Sequence, residues 1–167
     1  MIYLLIIYKK TPNIIFPELS NLNLSFNREL TDIPKLTKIP KLEVLNLHYT
    51  NLRTLPSLDK LQMLEVLILA DSGLKELPNL NNKNLKVLDL RETDIKSLPS
   101  LSNLESMRTI YIESSIDFSN LELYNFILSI TDHAITQEKI DRLIARYGEN
   151  NIVIDDEHDE IRVTVLL

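Results

Sequence analysis

The chain has no cysteine and no tryptophan, only two glycines and only four phenylalanines in 167 residues. Without thiols there are no disulfides, no thiolate metal sites and no cysteine nucleophiles. Secreted proteins often staple their ends with disulfides, so a reducing compartment and a cytoplasmic location are expected. Two glycines leave no room for a glycine-rich phosphate loop. Hydrophobic residues make up 44% of the chain, so the core must be aliphatic. Long apolar runs are missing too. The run Ile2–Tyr8 is too short to span a bilayer, and Lys9 and Lys10 follow it where a signal peptide would place its charges ahead. It is expected to form a structural edge strand, and no membrane partner is expected.

Charge of one sign is concentrated at one end. Residues 1–115 carry 14 Lys/Arg against 13 Asp/Glu, whereas residues 116–167 carry 4 against 11. A near-neutral majority with an acidic end has no electrostatic footprint for nucleic acid.

What the chain has in abundance is leucine, at fixed spacing. Leu42, Leu45, Leu47, Leu52, Leu55, Leu58 and Leu61 return as Leu64, Leu67, Leu69, Leu74, Leu77, Leu80 and then Asn84. They return again as Leu85, Leu88, Leu90, Ile95, Leu98, Leu101 and Leu104. Starts at 42, 64 and 85 give periods of 22 and 21 residues. A fixed period of this size marks a solenoid, whose units bury their apolar side only against neighbours. Leu19, Leu22, Leu24, Leu30, Ile33, Leu36 and Ile39 form a 23-residue unit with one insertion between Leu24 and Leu30, and Met107, Ile110 and Ile112 begin a partial one.

Two periods alternate within each unit. Val44-Leu45-Asn46-Leu47 and its copies alternate with period two, which predicts short strands with Leu inward. The prolines at 34, 56, 78 and 99 block a regular helix, so the return segments should be extended or 3₁₀-like. Asn27, Thr50, Ser72, Thr93 and Ser115 fall where the chain leaves each strand. A hydroxyl or amide there can satisfy open backbone groups, or simply solvate a turn.

This pattern, Leu-x-x-Leu-x-Leu-x-x-Thr-x-Leu-x-x-Leu-Pro-x-Leu-x-x-Leu, resembles the leucine-rich repeat family, and in length and spacing is most similar to the 22-residue class found in bacterial internalins and in a regulatory subunit of a protein phosphatase. It departs by placing Thr or Ser where Asn is usual, with only Asn27 matching. The resemblance covers about residues 19–115. It implies an α/β solenoid, a horseshoe with short parallel strands on its concave face, and a non-catalytic module that binds another protein there.

Three segments are therefore expected: an edge strand or degenerate repeat over 1–18, repeats over 19–115, and an α+β cap over 116–167. In the first, strands at Ile2–Tyr8 and Ile14–Phe16 flank a Thr11-Pro12-Asn13 turn. In the cap, Ser119-x-x-Glu122 fits a capping box and predicts a helix over about 120–130, with a strand at Phe126–Thr131 as the alternative. Thr136 as N-cap, Ile140, Leu143, Ile144 and Tyr147 at helical spacing, and Gly148 at the end predict a second helix. Strands at Ile152–Ile154 and Ile161–Leu166 should be joined by the turn Asp155–Glu160.

Little in the sequence points to chemistry. His48, His133 and His158 show no metal-ligand spacing, and His48 on an outward strand face reads as a surface contact. The acidic turn with His158 lacks the glycine and length of a calcium loop, so a solvated turn outranks adventitious cation binding. No serine sits in a nucleophile elbow. No catalytic residue, cofactor or metal is expected, and the chain should be a monomer.

The outward strand positions remain as the candidate surface. Val44, Val66, Val87 and Ile68 form an apolar stripe that either contacts a partner or only supports the sheet. The partner-binding candidates are Phe26, Asn46, His48, Tyr49, Ile68, Asp71, Asp89, Arg91, Glu92 and Tyr111, because aromatic and arginine side chains beside an apolar centre make up binding hot spots. A second possibility is a structural or inhibitory accessory acting through the acidic residues 116–167.

Overall fold

A computed structural model describes residues 15–33, 36–113, 115–117, 127–132, 137–157 and 160–166. Five short strands recur at the repeat interval: β1 (Asn21–Asn23), β2 (Val44–Asn46), β3 (Val66–Ile68), β4 (Val87–Asp89) and β5 (Thr109–Ile112). A sixth, β6 (Ile127–Asp132), precedes the helix α1 (Gln137–Tyr147), a 3₁₀ turn (Glu149–Asn151), β7 (Ile152–Glu157) and β8 (Glu160–Leu166). All eight strands form one sheet in the order β1-β2-β3-β4-β5-β6-β8-β7. Strands β1 to β6 run parallel, and β8 and β7 close the end antiparallel.

The register shows why leucine dominates. Leu22, Leu45, Leu67, Leu88 and Ile110 are paired neighbours across β1–β5, and all are 0% exposed. Two residues further on in each unit Leu24, Leu47, Leu69, Leu90 and Ile112 repeat that burial. Each unit thus inserts its apolar side chains between those of its neighbours, and every unit needs the next. The return segments are extended, closed by single i−3 turns such as Leu42 N–H to the Ile39 carbonyl and Leu64 N–H to the Leu61 carbonyl.

The polar position after each strand is used unevenly. The Asn27 amide donates to the Leu24 carbonyl at 2.8 Å, and the Thr50 and Thr93 hydroxyls donate to Leu47 and Leu90 at 2.9 and 2.8 Å. Ser72 is buried with no hydrogen-bond partner for its hydroxyl. Ser115 is exposed, since the regular repeat ends there.

Three readings of the sequence are corrected. First, the apolar position of Leu61 is filled in the next unit by Asn82, not Asn84. Asn82 is 0% exposed and its carbonyl accepts from Leu85 N–H, as Leu61 does from Leu64, whereas Asn84 is exposed. The 21-residue unit loses its residue just before this point. Second, of the two readings offered for this stretch it is the alternative, a strand near Phe126–Thr131, that forms: Ile127–Asp132 is a strand and not the end of a helix. It pairs with β5 along Ile110↔Leu128 and Ile112↔Ile130, so a free sheet edge outweighs the local capping signal. Third, the described part of the acidic segment Asp155–Glu160 is strand, His158 and Asp159 lying outside the described residues. Asp155, Asp156 and Glu157 belong to β7 and pair with β8.

The second helix forms as expected, with Ile140 and Leu143 buried and Ile144 and Tyr147 packed against the core. Gly148 follows at φ 88°, where its N–H reaches the Ile144 carbonyl at 2.8 Å. Ile15 and Phe16 are exposed and outside any strand. The expectations for Ile2–Tyr8, the Thr11-Pro12-Asn13 turn, Ile14, Pro34, residues 120–126, His133, Thr136 and His158 lie outside the described residues.

Candidate functional site

Beyond each three-residue strand the ladder continues for two more residues and then turns. Phe26 N–H donates to His48 C=O at 2.9 Å, Tyr49 N–H to Ala70 C=O at 3.0 Å and Asp71 N–H to Arg91 C=O at 2.8 Å. The turning residue is left-handed each time: φ is 59° at Phe26, 55° at Tyr49, 52° at Asp71 and 53° at Glu92. No glycine or asparagine occupies these positions, although the backbone favours them there. The side chains stand in a row along one border of the concave face, one strand spacing apart.

The turn is shaped from the strand. Asn23 Oδ1 accepts from Ser25 N–H at 2.9 Å, Asn46 Oδ1 from His48 N–H at 2.9 Å and Asp89 Oδ1 from Arg91 N–H at 3.2 Å. These contacts are Asx turns. Asn46 and Asp89 were singled out as contact residues, and the structure gives both a backbone role. Ile68, between them in the register, is half-buried and has no such side chain.

An aromatic group gathers at the β1–β2 end. The Phe26 ring lies 5.2 Å from His48, edge-on, and 5.5 Å from Tyr49. Phe26 is 70% exposed and Tyr49 37%. His48 Nδ1 is 3.1 Å from the Ala70 carbonyl, which fixes the imidazole against the next repeat. The Arg28 guanidinium covers the Tyr49 ring at 3.8 Å and pairs with Asp71 at 2.9 Å. Its pKa is raised, chiefly by the polar contact with Tyr49 and further by Asp71. Arg28 escaped the sequence analysis because it sits in the 23-residue unit's insertion, out of register with every other repeat. That insertion was the available signal.

A second group lies at the β4–β5 end. Asp89, only 6% exposed, holds Arg91 by both carboxylate oxygens at 2.9 and 2.7 Å. This bidentate bond is the largest cause raising the Arg91 pKa. The guanidinium lies 4.9 Å from the Tyr111 ring centroid. Asp89 therefore presents no free carboxylate. Glu92 is exposed, and its N–H donates to Glu113 Oε1 at 3.3 Å.

Among the described residues no group of three His, Asp or Glu is placed to hold a metal ion, and no helix is long and apolar enough to cross a membrane. A hollow of about 320 Å³ on the return segments is lined by Thr54, Leu55, Glu76, Leu77, Pro78 and Asn79, and Glu76 is its single titratable group.

These features define a leucine-rich-repeat horseshoe: stacked parallel strands, extended returns and a closing cap. No protein-family model and no curated protein sequence matches the chain. Among solved structures the chain is similar to the crystal structure of Listeria monocytogenes InlP, an internalin, with a TM-score of 0.54 at 16% sequence identity. The match covers 92% of this chain and 60% of that one, so this chain spans about three fifths of the InlP structure's length. At that identity the likeness concerns the fold.

Proposed function

We propose that this chain is a non-catalytic interaction module that binds a partner protein through its concave face. The observation that carries this reading is the exposed pair Phe26 and Tyr49. A ring held left-handed costs roughly 1–2 kcal/mol of backbone strain, and Phe26 keeps 70% of its surface in water. Such a residue adds little to folding, and its contact area becomes useful when a partner covers it. The horseshoe fold and the internalin neighbour support an interaction scaffold.

The test replaces Phe26, Tyr49 and Tyr111 together with alanine, leaving the Asp89–Arg91 pair intact. The variant should keep its melting curve and lose the partner captured from the native cell and identified by mass spectrometry. Undiminished capture would remove the concave face from consideration.

The second reading, an accessory acting through the acidic C-terminal block, draws on one observation. Val153 and Ile154 are 48% and 51% exposed on β7, the last strand of the sheet. Charge reversal at Asp155 and Asp156 separates the two, because it should spare partner capture if the concave face binds.

A further inference from the structure

We infer that the partner segment is a polyproline-II stretch carrying an apolar side chain and a lysine or arginine three residues apart. This inference rests on the concave-face reading and names the ligand class for it.

The left-handed row changes chemistry along its length. Phe26 and Tyr49 are aromatic, and Asp71 is occupied by Arg28. Glu92 comes next. No side chain among the described residues engages its carboxylate, since its one recorded contact is made by the backbone N–H. Arg91 is committed to Asp89 along its Nε–Nη2 edge and makes no ion pair with Glu92. The row thus offers an apolar seat at one end and an unpaired anion at the other. A ligand that sets an apolar group against the seat and a cation against Glu92 is complementary.

The spacing selects the backbone. Phe26, Tyr49 and Asp71 each donate an N–H to the residue just before the next member of the row, His48, Ala70 and Arg91, so the row advances by one strand spacing each time. From Tyr49 to Glu92 is two such steps, roughly 9.5 Å. A polyproline-II helix returns to the same side every three residues, after about 9.3 Å. An extended strand returns to the same side only at even intervals, at about 6.6 and 13 Å, and neither value matches. Aromatic platforms are a recurring mode of proline-segment recognition because that backbone is already ordered before binding. The Phe26–His48–Tyr49 group, braced by Arg28, is such a platform.

The experiment uses the full chain and fluorescein-labelled proline host peptides with one leucine and one arginine, in either order, set two, three, four or five positions apart. Fluorescence anisotropy should show the tightest binding at three. Glu92→Lys should weaken that peptide by about tenfold or more, and Tyr49→Ala should do the same. Glu76→Lys, an equal charge change on the return side, should leave binding unchanged. An optimum at four would mean an extended ligand and would overturn the inference, as would equal affinity at every spacing or indifference to Glu92→Lys. Absence of binding by every peptide overturns it too. In each of those cases the concave-face reading stands or falls separately, on the Phe26, Tyr49 and Tyr111 variant.

Discussion

The side-chain amide of Asn82 donates at 2.8 Å to the carbonyl of Leu61, the residue that fills the same position one repeat earlier. It also donates to Leu58 at 2.9 Å, so one buried asparagine satisfies two carbonyls of the preceding unit. Replacing Asn82 with leucine restores the apolar pattern and removes both donations, while each carbonyl keeps its backbone donor, Leu61 N–H on Leu58 and Leu64 N–H on Leu61. Two hydrogen bonds at roughly 0.5–1.5 kcal/mol each set the expected cost, offset in part by the loss of Asn82 Oδ1, which is buried without a partner, and it is read as a lower urea midpoint. An unchanged midpoint would show that the two donations contribute nothing net.

Thr50 and Ser72 occupy equivalent positions and should respond differently to loss of the hydroxyl. Thr50→Val removes the bond to Leu47 at a fully buried site and should cost about 1–2 kcal/mol. Ser72→Ala removes a buried hydroxyl that has no partner and should be neutral or slightly stabilising. Thermal unfolding of the two variants side by side gives the comparison. Equal losses would mean that the position, not the hydrogen bond, sets the cost.

Asp89 has two separable tasks. Asp89→Asn keeps an oxygen for Arg91 N–H but removes the charge beneath the guanidinium, whereas Asp89→Ala removes both. Stability should fall in the order wild type, Asn, Ala, with the alanine variant down by about 1–3 kcal/mol, because the Arg91 it leaves behind is partly solvated. Denaturant titration decides this, and an Asn variant as weak as Ala would assign the whole effect to charge.

On the return side, hydrogen bonds from Ser57 and Asn81 lower the Asp59 pKa below the ordinary carboxylate range. A depressed folded-state pKa stabilises the fold at neutral pH, and the contribution fades as pH falls from about 4 through the folded value. The melting temperatures of wild type and Asp59→Asn should therefore converge with acidification. A gap that stays constant from pH 7 to pH 3 would refute the assignment.

How much of this was legible depends on where each residue's partner sits. Leu45 or Leu88 announces its place because burial is a property of its own side chain, repeated at a fixed interval. Ile127–Asp132 did not, because its state is decided by the open edge of β5 and not by the local Ser119-x-x-Glu122 signal. Asn82 was hidden by a one-residue slip in period. The outward row could be listed from the pattern, but its division of labour could not. Arg28 acts through Tyr49 and Asp71, one and two repeats away, and Asp89 is covered by Arg91.

The row at Phe26, Tyr49, Asp71 and Glu92 sets two kinds of selection against each other. A campaign that rewards only heat resistance should drift toward glycine or asparagine at all four, since either relaxes the positive φ. The survivors would be sturdier horseshoes with a blank border. A campaign that rewards capture of a ligand should hold the bulky residues in place and seek its stability elsewhere. The same four codons would separate the two lineages within a few rounds.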